Sequence, residues 1–187
     1  MIQEIFCSIK LTLLSIIIFV FGYALLLEGI AKLMPGNGLG ETVKVGNKVV
    51  GYDLEGQNFT EDKYFNGRPS ACEYNATSGS GSNKGPSNPD YLKDVKARID
   101  TFMVHNPMVK KEDIPSELVT SSASGLDPDL SPKAAYIQVN RIARARNISA
   151  ERINELIAAH IQKPLLTLFG PEKVNVLQLN IALDQLK

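Results

Sequence analysis

The most suggestive chemistry in the chain lies in Ser78-Gly79-Ser80-Gly81-Ser82-Asn83-Lys84-Gly85-Pro86-Ser87. A glycine-rich loop can cradle phosphate when its backbone N–H groups point inward and a Lys-Ser/Thr pair opens the next helix. Here Lys84 is followed by Gly85-Pro86, Pro86 has no N–H to donate, and no clear strand leads in. The pattern reads as a structured or partner-facing loop. Its serines keep a second class open, a membrane-anchored or secreted enzyme with a Ser-rich active loop, although no G-x-S-x-G elbow is present. The two histidines, His105 and His160, have no second His, Cys or carboxylate at metal-ligand spacing, so no metal site is expected. Cys72 has no basic activator near it in sequence. Asp127 and Asp129 flank Pro128, which is turn chemistry. Arg141, Arg144 and Arg146 give one helix a basic side, read as a solvated face. No catalytic set is expected.

These residues need a scaffold, and composition bounds it. The chain has 187 residues, 20 Lys+Arg against 20 Asp+Glu, and 44% apolar residues. That balance excludes a disordered chain and a basic nucleic-acid binder. The apolar residues are unevenly placed. Seventeen uncharged residues lie between Lys10 and Glu28, and fourteen of them are apolar. Extended back to Ile5, with Lys10 near the headgroups, the run reaches across a bilayer about 30 Å thick. A membrane anchor over 1–32 is expected, with its span at about 5–27. A cleaved signal peptide ending at Gly29-Ile30-Ala31 is the competing reading, but no basic stretch precedes the run. Residues 1–32 hold two positive and two negative charges, so charge does not orient the span.

Residues 33–187 suit one compact α+β domain. Thr42–Val45 and Lys48–Val50 around Gly46-Asn47 predict a hairpin with a II′-type turn. Residues 66–90 form a long loop in which sixteen of twenty-five residues are Gly, Pro, Ser or Asn. Asn88-Pro89 opens a helix carrying Tyr91, Leu92, Val95, Ile99, Phe102 and Met103, which ends at His105-Asn106-Pro107. Ser131-Pro132 opens a second helix, with Ala135, Val139, Ile142 and Ala143 on one face, which Asn147 interrupts. Ser149 caps a third, with Ile153, Leu156, Ile157 and Ile161. Val174–Asn180 reads as a strand.

The ordered set of loops is specific. Phe65-Asn66-Gly67-Arg68-Pro69-Ser70 and Tyr74-Asn75 precede Ser78 through Pro89. Val119 through Pro128, Ser131-Pro132, Gln138, Arg141, Ala143-Arg144-Ala145-Arg146 and Val174-Asn175-Val176-Leu177 follow. Behind one apolar span, this order resembles the C subunits of the Kdp high-affinity potassium-transporting P-type ATPases, over nearly the whole chain. The resemblance implies a single-pass, non-catalytic subunit of the bacterial inner membrane. Its partners would be a potassium-channel-like subunit and an ATP-hydrolysing subunit. It implies a catalytic chaperone that raises the ATP affinity of the ATPase subunit, with no tightly bound cofactor and any ATP shared with that subunit. It also implies a nucleotide contact at Gln138. Structural views of the family instead put the domain outside the cytoplasm, near the potassium entrance. The loops bearing Arg68, Asn83, Ser87, Asn88 and Asp127 are the expected partner contacts.

Overall fold

The computed structural model describes residues 2–186, which divide into two compact units, one up to Thr42 and one from Val43 onward. In the first unit, α1 (Ile2–Ile16) runs without a break through a π-helical segment, Ile17–Gly22, into α2 (Tyr23–Ala31). Tyr23 N–H reaches Ile18 O, the wider spacing of a π turn. Between Lys10 and Glu28 the helix carries no charge, none of it is buried, and its best 18-residue window has a mean hydropathy of 2.4. Length and composition therefore allow it to cross a membrane, and it is the one such helix among the described residues. It ends at Ala31, and shortly beyond it Gly36, Asn37 and Gly38 all take positive φ. A Cβ on Gly38 would stand 3.0 Å from the Ala31 side chain, so the chain turns there only with glycine.

The second unit is mixed α+β. The hairpin forms as expected, with β1 (Thr42–Val45) beside β2 (Lys48–Tyr52). Gly46 has φ 60° while Asn47 is not among the positive-φ residues, the sign pattern of a II′ turn. Residues 66–88 hold only one 3₁₀ turn, Ala76–Ser78. α3 (Pro89–His105) starts at Asn88, whose side chain accepts from Asp90 and Tyr91 N–H. No α3 residue is fully buried and Leu92 is exposed, so this helix lies at the edge of the core.

The centre is helical. α4 (Pro132–Tyr136), α5 (Val139–Arg146) and α6 (Ala150–His160) bury Ala134, Ala135, Val139, Ile142, Ile153 and Ile157. Ser131 and Ser149 cap α4 and α6 as expected. Asn147 ends α5 in the left-handed region (φ 55°) that asparagine tolerates. The expected single helix over 132–146 is broken at Ile137–Gln138, because the Gln138 side chain turns back inward to bond the Ala134 carbonyl.

The expected strand over Val174–Asn180 is corrected. β3 (Asp129–Leu130) pairs antiparallel with β4, which is only Val174–Asn175. α7 (Val176–Gln185) then begins, with Asn175 capping Gln178 N–H. Val176, Leu179, Asn180 and Leu183 fall at helical spacing and are all buried. The short alternation Val-Asn-Val-Leu-Gln-Leu-Asn satisfies both periods, and the cap decides between them.

Candidate functional site

Residues 59–66 (Phe-Thr-Glu-Asp-Lys-Tyr-Phe-Asn) cross the domain as a strap with no helix or strand. Phe65 is wholly buried, so its backbone goes in with it. Buried peptide groups need partners. One local bond, Tyr64 N–H to Glu61 O at 3.1 Å, helps. The rest come from side chains of distant helices. Asn180, on α7, accepts from Phe65 N–H at 2.8 Å and donates to Phe65 O at 3.0 Å. Gln138 does the same for Asn66, at 2.9 and 3.1 Å. Each amide thus occupies both backbone groups of one residue, as a neighbouring strand would.

Arg141 completes the clasp. Its Nη1 donates to the carbonyls of Glu61 (3.4 Å) and Asp62 (2.6 Å). Its Nη2 donates to Tyr64 O (3.0 Å) and Gln138 Oε1 (2.7 Å), and its Nε to Asn106 Oδ1 (3.3 Å). All five guanidinium donors are engaged. The side chain is only 3% exposed, and burial pulls its pKa down, with the Asp62 carboxylate 3.9 Å away opposing the shift. Arg146 bonds Lys63 O (2.7 Å) and Asp184 (2.6 Å) and lies over the Tyr64 ring. Carbonyls 61 through 66 therefore all find partners. Two clefts flank the strap and share Phe59 and Thr60 as a wall. One, of about 600 Å³, lies against Leu177 and Asp184, and the other, of about 440 Å³, against Arg98 and His105.

Gln138 is fully buried, and its remaining donor goes to Ala134 O at 3.0 Å. Its two acceptor and two donor positions are all used within the chain. A nucleotide could reach it only if the strap let go.

The expected partner-contact residues divide. Arg68 and Asp127 come together in a 2.8 Å ion pair that joins loop 66–88 to loop 119–128. Ser122 N–H to Pro69 O (3.0 Å) and Tyr74 OH to Arg68 O (2.5 Å) tighten the same junction. Gly125, at φ 72°, faces the Cys72 thiol and Ser80 O so closely that no side chain fits. Hydrogen bonds, first from the Ser70 hydroxyl and then from the Ser80 backbone, pull the Cys72 pKa below its usual value. Asn88 caps α3, whereas Asn83 and Ser87 stay exposed on the loop surface. Lys84 pairs with Asp94 at 3.0 Å and holds that carboxyl below the usual range. Among the described residues no group of three or more His, Cys, Asp or Glu could hold a metal ion. His105 meets Asp62 at 2.8 Å, and His160 meets Leu156 O at 2.8 Å.

Sequence reasoning missed Asn180 and the structural roles of Arg141 and Arg146, which hold the strap instead of lying on a solvated face. One signal was available: Asn180 is a polar residue inside the apolar stripe Val176-Leu179-Leu183.

The family described as KdpC, the c chain of K+-transporting ATPases, matches residues 5–185. A potassium-transporting ATPase KdpC subunit of Bacteroides fragilis is 52% identical over 183 residues, covering 96% of each chain. One from Flavobacterium psychrophilum is 51% identical over 185 residues, 99% of this chain and 100% of its own. One from Caldanaerobacter subterraneus subsp. tengcongensis is 44% identical over 182 residues, 97% of this chain and 94% of its own.

Proposed function

The chain belongs to the KdpC family of K+-transporting ATPase c chains, and on that premise we propose that it is a non-catalytic accessory subunit of a high-affinity potassium-uptake complex. The observation that carries this is the extent of the match: residues 5–185 include both the apolar helix and the domain behind it. In this proposal α1 and α2 span the inner membrane as one rod and dock on helices of the partner subunits, the potassium-channel-like one and the ATP-hydrolysing one. The domain stands outside the cytoplasm, near the potassium entrance, and the exposed loop at Asn83 and Ser87 faces a partner.

Gln138 serves this role by holding the strap. Its four internal hydrogen bonds support that assignment over a direct nucleotide contact. Any effect of the subunit on ATP binding then passes through its contacts with the ATP-hydrolysing subunit.

Topology is the decisive measurement. A periplasm-dependent reporter fused after Lys187 should be active and a cytoplasm-dependent one silent; the reverse result overturns the placement of the domain. Deletion of residues 1–32 should abolish co-purification with the other subunits, and full retention would count against docking through the helix. Titration of ATP into the full chain in detergent should leave its melting temperature unchanged.

A further inference from the structure

The segment between α6 and β4 is a short hairpin whose surface is inverted. Gln162 and Lys173 exchange both backbone hydrogen bonds, at 2.8 and 3.1 Å, and Leu165 and Phe169 exchange another pair, both at 2.9 Å. At the end of this stem and in the turn beyond it the apolar side chains are open to solvent: Leu165 is 71% exposed, Leu166 73%, Leu168 79% and Phe169 63%. From Pro164 through Pro171 no residue is charged. The other large exposed apolar side chains of this unit, such as Leu54, Val104 and Met108, do not form such a run. Single apolar residues on a surface are ordinary, whereas four together mark a contact site.

The backbone at the tip is also held in a costly shape. Leu166 (φ 54°) and Thr167 (φ 61°) are consecutive non-glycine residues in the left-handed region, and Thr167 is β-branched. Strain of this kind persists where a site uses it. Here it turns the chain so that Leu166 and Leu168 project beyond the stem, next to the exposed Leu165 and Phe169.

We propose that this tip inserts into the lipid interface of the bilayer beside which the domain is tethered. The proposal rests on the membrane role assigned above to α1 and α2. The tip is a convex, uncharged wedge of leucine and phenylalanine, the composition that partitions into the headgroup–acyl boundary. At its base Lys163 is exposed and has no ion-pair partner among the described residues, so it is free to meet lipid phosphate. Lys173 across the stem is neutralised by Asp129 at 2.6 Å. The tether is short as well. Ten residues lie between Lys32 and Val43, a reach of no more than about 40 Å, which keeps the domain near lipid. Insertion gives the domain a second attachment, and a short linker converts even weak partitioning into steady occupancy.

Depth-dependent quenching in the full chain tests this. In a background carrying Cys7→Ser and Cys72→Ser, Leu168→Cys is labelled with an environment-sensitive fluorophore. The protein is reconstituted into vesicles of equal parts phosphatidylcholine and phosphatidylglycerol, with or without doxyl-labelled lipid. The label should shift to the blue and lose emission to shallow doxyl groups. Adding Leu166→Ser and Phe169→Ser should abolish both changes while leaving the melting temperature unchanged. A label at Val104→Cys should stay water-exposed throughout. A tip label that remains in water sinks the proposal. So does a blue shift that needs the other complex subunits and is absent in lipid alone, since the tip would then be a protein contact. Ser15→Cys, inside the apolar helix, separates the two levels: if it is deeply quenched while the tip is not, the membrane helix stands and only the tip proposal falls.

Discussion

Residues 59–66 and residues 164–171 are both eight-residue connections, and the fold treats them in opposite ways. The strap has no helix or strand, yet Phe65 is fully buried and its backbone is held at almost every position by Gln138, Arg141, Arg146 and Asn180. The hairpin tip has regular backbone pairing, yet its apolar side chains lie in water. Secondary structure therefore does not measure how firmly a segment is held here, and hydrophobicity does not measure burial. Firmness comes from long-range polar side chains that replace a missing strand partner. Exposure of apolar surface comes from a turn that has nothing of its own chain to pack on.

That contrast can be broken at several points. Arg141→Met should give the largest loss, roughly 3 kcal/mol, because the part-buried carbonyls of Asp62 and Tyr64 and the buried Gln138 Oε1 all lose a donor at once. Urea unfolding of the full chain in detergent, followed by tyrosine fluorescence since the chain lacks tryptophan, would measure it. Asn180→Ala should follow at about 2 kcal/mol, since both backbone groups of Phe65 lose their partner. Asn180→Asp sharpens the same point through pH. At neutral pH its carboxylate accepts from Phe65 N–H but faces Phe65 O without a donor, which raises its folded pKa above the unfolded value near about 3.9. A raised folded pKa makes this variant regain stability as pH falls through that value and lose it as pH rises.

The tip should respond weakly and in the other direction. Leu166→Asn relieves a left-handed backbone strain and should stabilise by about 0.5 kcal/mol in the same unfolding assay. Leu168→Ser should change stability by less than about 0.5 kcal/mol, as a fully exposed site does. If Leu168→Ser cost as much as Asn180→Ala, the tip would be part of the core and the contrast would collapse.

How much of this was legible beforehand depends on range. The caps at Asn88, Ser131 and Ser149, the Gly46-Asn47 hairpin and the left-handed Asn147 are local, and each is written in two to four adjacent residues. The helix from Asn175 is not legible in 174–180 because these residues also alternate; the Asn175 cap and Leu183, beyond that window, break the tie. Arg141 was expected on a solvated face because charge normally goes outward; the carbonyls that bring it inward lie 77 to 80 residues away. Gln138 is singled out only by resemblance; its partner within the strap, Asn66, lies 72 residues earlier and has no local signature. The Arg68–Asp127 pair spans 59 residues, and nothing local to either residue marks the other as its partner.

The long spans of the clasp also bear on time. The bonds that hold Phe65 and Asn66 close loops of 115 and 72 residues, and the one from Arg146 to Lys63 closes 83. Long loops close slowly, and within residues 59–66 the local Tyr64 N–H to Glu61 O bond makes no more than a single turn. The strap emerges early from the ribosome but must wait for α5 and α7, the last of which ends at Gln185. Until α7 has been made, the Asn180 amide that holds Phe65 is missing, and the strap waits for as long as that synthesis takes.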